Sequence, residues 1–225
     1  MGDTLILITL YDLKKNEEIS TYIKMANVHL KAMGYTDHGF RHVNLTAARA
    51  KKVLEQLNYP KRDQELVAIA GYLHDIGNVM GRHNHGLSGA ALSYRLLDKM
   101  GMEPEEIALI ISAIGNHEEQ TGYVVNHIAA GLVLADKSDV HRSRVSNKNI
   151  TTFDIHDRVN YGAEHSDLVV NSEEKTVTMI LDIDLSITTV VEYFEIFLSR
   201  MIMCRKAADF LKCNFGLVIN DSKLL

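Results

Sequence analysis

Two cysteines, Cys204 and Cys213, are all that the 225 residues hold. That excludes a disulfide framework and a zinc-cysteine site, and both thiols fall in what reads as one late helix, where they are expected to be core residues. Proline is as scarce, at positions 60 and 104, and no low-complexity tract interrupts the chain, which excludes extended disorder. Basic residues are not in excess. Lys and Arg number 24 against 29 Asp and Glu, a formal charge of −5, and the cations are scattered along the chain. Such a distribution argues against binding a nucleic-acid polymer and leaves room for a small anionic substrate, which needs only a local cluster. No apolar run is long enough to span a bilayer, and the opening "MGDTLILITL" has neither the basic start nor the small-residue cleavage site of a leader. A cytoplasmic protein with no membrane contact is expected.

What is present points to helices. Hydrophobic residues make up 46% of the chain, and Leu, Ile, Ala, Lys and Glu recur throughout. Helical spacing predicts segments over 17–31, from about 38 to 58, and from 62 into His74-Asp75, where Gly77 is expected as a C-terminal cap. Further helices are predicted over 88–100, from Pro104 toward His117, and over 126–139. The last third differs. "DLVVNSEEKTVTMILDID" reads as two strands about a polar turn and "FGLVIN" as a third, with a long amphipathic helix between them whose expected N-cap is Ser186. The expectation is a mainly α protein, with a helical domain over 1–165 and a small α+β extension over 166–225 of about three strands and one long helix, packed on the first.

Eleven histidines are present, and their positions matter more than their number. His42 lies near one predicted helix start, His74-Asp75 at a helix end, His85 before a start, His117 at an end and Asp136 within the last helix of the domain. Imidazole and carboxylate together suit zinc, iron, manganese and similar ions. Any one such histidine is more often a surface or cap residue. The pair at 74–75, however, directly follows the apolar "LVAIAGYL", and a buried carboxylate is costly unless a cation neutralises it.

The blocks "FRHVN", "LHDIGN", "NHGLSGA", "GNHEEQTG" and "LADKSDVHRSR", in that order over about residues 38–144, resemble the HD superfamily of metal-dependent phosphohydrolases. The pattern is most similar to the bacterial HD hydrolases that cleave diadenosine tetraphosphate. The resemblance implies an HD-domain helical bundle in which His42, His74, Asp75 and Asp136 hold a first metal. It further implies that His85 and His117 join a second, bridged by Asp75. Two divalent ions per chain are expected, iron or manganese first, with zinc, nickel and magnesium as alternatives. His83 competes with His85 for its role. Asn78 stands where many members have a lysine, and the Gly-Tyr-Pro of the cyclic-dinucleotide branch is missing.

The activity implied is hydrolysis of a phosphomonoester or phosphoanhydride bond in a small nucleotide-like molecule by metal-activated water, with His74 and Asp75 acting through the metal. Lys137, Arg142 and Arg158 are candidate substrate contacts. Arg144 reads as a solvated helix-end cation, and His156-Asp157 lacks an apolar lead-in that would make it a second metal pair. His29, His38, His127, His141 and His165 carry no role. The apolar stripe with Phe194, Phe197, Met201 and Met203 reads as core or as the face of a homodimer. Two other classes share the pattern: a di-iron oxygenase of the same fold, and a metal-bound sensing or interaction module.

Overall fold

In the computed structural model, which describes residues 7–225, helices joined by tight turns run to residue 162 and a sheet comes after them. The first six residues of the opening segment lie outside the described residues. A short helix α1 (Leu10–Lys15) precedes those expected; Asp12 accepts from the Thr9 backbone N–H at 2.9 Å and so caps it. Helix α2 (Glu17–Ala32) buries Ile19, Ile23, Ala26 and Leu30 at helical spacing and stops at Gly34, whose φ of +84° is left-handed. Helices α3 (Phe40–Gln56) and α4 (Lys61–Leu73) pack closely, and α4 is buried from Leu66 to its end. Helices α5 (His85–Lys99) and α6 (Pro104–Gly115) pair, and α6 also packs on α4. Helix α7 (His127–Lys137), buried from Ile128 onward, packs against α3, α4 and α6.

Gly77 does not cap α4. It lies inside a 3-10 turn, Ile76–Val79, and a Cβ there would sit 2.1 Å from the His85 carbonyl and 2.4 Å from the Gly89 nitrogen. Its role is close approach: only a hydrogen lets this turn press against the start of α5.

Helix α8 (Ile155–Gly162) leads into the sheet, which begins three residues before the expected start of the extension. Strands β1 (Ala163–Asn171) and β2 (Thr176–Ile183) form an antiparallel hairpin. Helix α9 (Val190–Phe210) crosses over to β3 (Asn214–Ile219), which lies parallel to β2. A two-residue β4 (Ser222–Lys223) adds a fourth strand to the three expected. The cap of α9 is Thr189 rather than Ser186: its hydroxyl accepts from the Glu192 N–H at 3.2 Å, while Glu192 accepts from the Thr189 N–H at 3.0 Å. Ser186 instead turns back onto Asp184. Helix α9 packs on α7, so one apolar core runs from Ile8 through the helices into Leu217 and Ile219. No helix among the described residues is long and apolar enough to cross a membrane.

Candidate metal centre

Six side chains from five places converge at the ends of α3, α4, α5, α6 and α7. His42 is on the first turn of α3, His74 and Asp75 come directly after α4, His85 opens α5, His117 lies just past α6, and Asp136 is the penultimate residue of α7. Five are at most 4% exposed and Asp136 is 8% exposed, so each polar atom among them must be accounted for.

The four imidazoles are fixed in one sense. Nδ1–H of His42 donates to Asp139 at 2.7 Å, that of His74 to the Gly71 carbonyl at 2.9 Å, that of His85 to the Arg82 carbonyl at 3.1 Å, and that of His117 to the Ile114 carbonyl at 2.6 Å. Acceptors at every Nδ1 leave the Nε2 lone pairs pointing inward. There they face one another, His42 to His74 at 3.1 Å and His85 to His117 at 3.1 Å. Between the pairs stands Asp75. Its Oδ2 is 3.4 Å from His42 and 3.2 Å from His74, and its Oδ1 is 3.2 Å from His85. Asp136 Oδ1 completes the first group at 3.4 Å from His42 and 3.5 Å from His74.

This donor set fits metal ions. Two groups, His42, His74 and Asp136, and His74, Asp75 and His117, each bring ligand atoms within 4.8 Å of one another. Asp75 Oδ2 is buried and takes no hydrogen bond among the described residues, a costly state that a cation relieves. Inward lone pairs on facing imidazoles require positive charge between them. Burial opposes charge on His74, but Asp75 and Asp136 outweigh burial and raise its pKa to about 10. His117 goes the other way, to about 3, through burial and the charges of His74 and Lys137. Burial works against charge on Asp75 and Asp136 too, and the cations beside them hold both well below the usual carboxylate range.

A further layer braces the ligands. Asp139, 1% exposed, takes a bidentate contact from Arg41 at 2.9 and 3.0 Å while it orients His42. Asn78 donates to Asp75 Oδ1 at 3.0 Å. Lys137 bridges Asp136 Oδ2 and Glu119, both at 2.8 Å; burial disfavours its charge, yet these carboxylates raise its pKa.

The centre opens into a polar cleft lined by Asp75, His85, His117 and Asp136, by His38, Arg82, Lys137, Arg144 and Arg200, and by Glu118 and Glu119. Of the expected substrate contacts, only Lys137 is in that wall. Arg142 pairs with Glu164 at 2.8 Å and Arg158 with Glu192 at 2.8 Å, both away from the cleft. Arg144 is not solvated: 4% exposed, it donates to the Asp139 carbonyl at 2.9 Å and borders the cleft. Its partners are Asp37, in the loop before α3, and Asp139, just past α7, which local polarity in "HRSR" does not reveal. His85 is at the centre and His83 is exposed. His38, Arg82 and Arg200 have no sequence sign of their own, although Arg82 stands three residues before His85. Asp139 does carry one: it is three residues past Asp136, on the same side of the turn.

Comparison with known proteins agrees with this arrangement. Residues 39–151 match the HD domain family, a stretch that includes all six converging side chains. The uncharacterized protein MJ1020 of Methanocaldococcus jannaschii is 32% identical over 160 residues, covering 60% of this chain and 61% of that protein. Half of the chain matches the family and the six converging side chains lie wholly within the match, so the chain belongs to the HD-domain family.

Proposed function

We propose that this protein is a metal-dependent phosphohydrolase that holds two divalent cations per chain, iron or manganese in preference to others, and acts on a small phosphorylated, nucleotide-like molecule. One observation carries the reading: the two oxygens of Asp75 face separate imidazole pairs, His42 with His74 on one side and His85 on the other. A carboxylate so placed can serve two ions at once. Bound cations would lower the pKa of a water to give hydroxide near neutral pH and neutralise charge on the phosphoryl oxygens.

The chain's own residues do the rest. His42, His74, His85 and His117 present neutral nitrogen because each Nδ1 proton is committed to an acceptor. Lys137 ties Asp136 Oδ2 down and leaves Oδ1 facing His42 and His74. Arg82 stands 3.3 Å from His85 Nε2 and has no carboxylate within 4.0 Å among the described residues, so its charge is available to a phosphoryl oxygen. No side-chain nucleophile is needed.

The test is phosphate release from a panel of monoesters and anhydrides, diadenosine tetraphosphate included, with manganese, magnesium or zinc under anaerobic conditions. Release without oxygen or a redox-active metal is expected. Turnover that demands iron and consumes oxygen would replace this reading with the oxygenase one.

A further inference from the structure

A second cavity of about 240 Å³ adjoins the cleft and shares His38, Arg82, Arg144 and Arg200 with it. Its remaining walls come from elsewhere in the chain. Tyr35 belongs to the loop after α2, Asp154, Asp157 and Asn160 to α8 and the residue capping it, and Phe197 to α9. All of these lie outside residues 39–151, the part that matches the family. The metal centre and the chamber beside it therefore have different sources in the sequence.

The chamber is graded in charge. At the neck shared with the cleft are three guanidinium groups. Those of Arg144 and Arg200 are partly neutralised, by Asp139 at 3.8 Å and Glu119 at 3.2 Å, and that of Arg82 is not. Lining the chamber but not the cleft are two carboxylates and an amide. Asp157, 8% exposed, receives Asn147 Nδ2 on Oδ2 at 3.2 Å, and its Oδ1 takes no hydrogen bond among the described residues. Asn160 donates its amide to the His156 carbonyl, leaving its oxygen as an acceptor. An anion is favoured at the neck and opposed beyond it, whereas hydroxyl and amino donors are favoured there. Tyr35 adds an exposed ring face, with Arg82 5.6 Å from its centroid. The volume is below that of most drug-sized pockets, so one ring-bearing group fits and two do not.

We propose that this chamber takes the non-phosphoryl end of the substrate, which is a phosphate monoester whose other end bears one ring and no second anion. The proposal rests on the phosphohydrolase reading for the placement of the phosphoryl group. It selects a monoester with a single-ring end over a dinucleoside polyphosphate, whose further phosphates and second nucleoside would have to pass Asp154 and Asp157.

Calorimetric binding of three phosphonates, which cannot be hydrolysed at a P–O ester, tests it on the as-purified protein: methylphosphonate, phenylphosphonate and 4-carboxyphenylphosphonate. Phenylphosphonate should bind about 5- to 150-fold tighter than methylphosphonate, the worth of one stacked ring, and the carboxylated ring should bind weaker than the plain one. Tyr35→Ala should remove the advantage of the ring over the methyl group. Asp157→Lys should reverse the preference between the two aryl compounds. Equal binding of methyl and phenyl compounds overturns the proposal, as does an unchanged advantage of the ring in Tyr35→Ala; the exposed Tyr35 keeps the test decisive if Asp157→Lys fails to fold. Ring-dependent binding with no phosphate released from any ester supports the chamber and overturns the hydrolase reading instead.

Discussion

Asp139 faces none of the other ligand atoms, yet it decides which nitrogen of His42 can act as one. Its carboxylate takes the Nδ1 proton and is itself held by Arg41. Asp139→Asn keeps the shape and removes the charge, so metal affinity is expected to fall about 10- to 100-fold, read by competition with a chelator, while the fold persists. An unchanged affinity would mean that another contact orients His42. Gly77→Ala tests the neighbouring contact. The added methyl meets backbone at 2.1 Å, not a side chain that can swing away, so a loss of about 1–3 kcal/mol is expected, seen as a Tm lower by about 2–4 °C per kcal/mol. Wild-type stability in this variant would show that the turn yields against α5 at no cost. The six converging residues were legible in the sequence as candidates because His74-Asp75 follows an apolar run and the others stand in the ordered blocks that carry the family resemblance. Arg82, Arg200 and the burial of Arg144 were not, because their surroundings come from segments distant in the chain.

At the scale of elements, helix ends carry the chemistry and helix interiors carry the core. Helix α7 shows both: Ile128 to Ala135 are buried apolar or small, and Asp136-Lys137 come next as a buried charged pair. Period and turn residues foretold most helices to within a few residues. They missed α1, which is six residues long, α8, eight residues in a polar stretch, and β4, which is two; none is long enough for a repeated apolar pattern. The start of α9 was placed three residues early for a physical reason. Both Ser186 and Thr189 can cap, but only Thr189 has Glu three residues on, and the reciprocal bonds of that capping box decide the position. Thr189→Ala is expected to cost about 1 kcal/mol, measured by urea unfolding. Glu192 would also lose its hold, and it receives Arg158 at 2.8 Å, so a variant indistinguishable from wild type would show that the cap contributes nothing to α9.

For the whole molecule, the match to the HD domain ends at residue 151, and the remaining C-terminal third does not stand apart. Helix α9 lies on α7 and places Arg200 at the cleft, while α8 borders the adjoining chamber. Sequence pattern alone marked an apolar stripe on α9 but not its partner, since a stripe reads the same whether it meets α7 or a second chain. The proposed chemistry depends above all on Asp75 standing between two cations. Elemental analysis of gently purified wild type and of Asp75→Ala puts that to the test. About two ions per chain are expected in the wild type and a loss of both in the variant, because neither group of imidazoles keeps its shared carboxylate. Wild-type metal content in Asp75→Ala, or no metal in the wild type after reconstitution with manganese, iron or zinc, would contradict it.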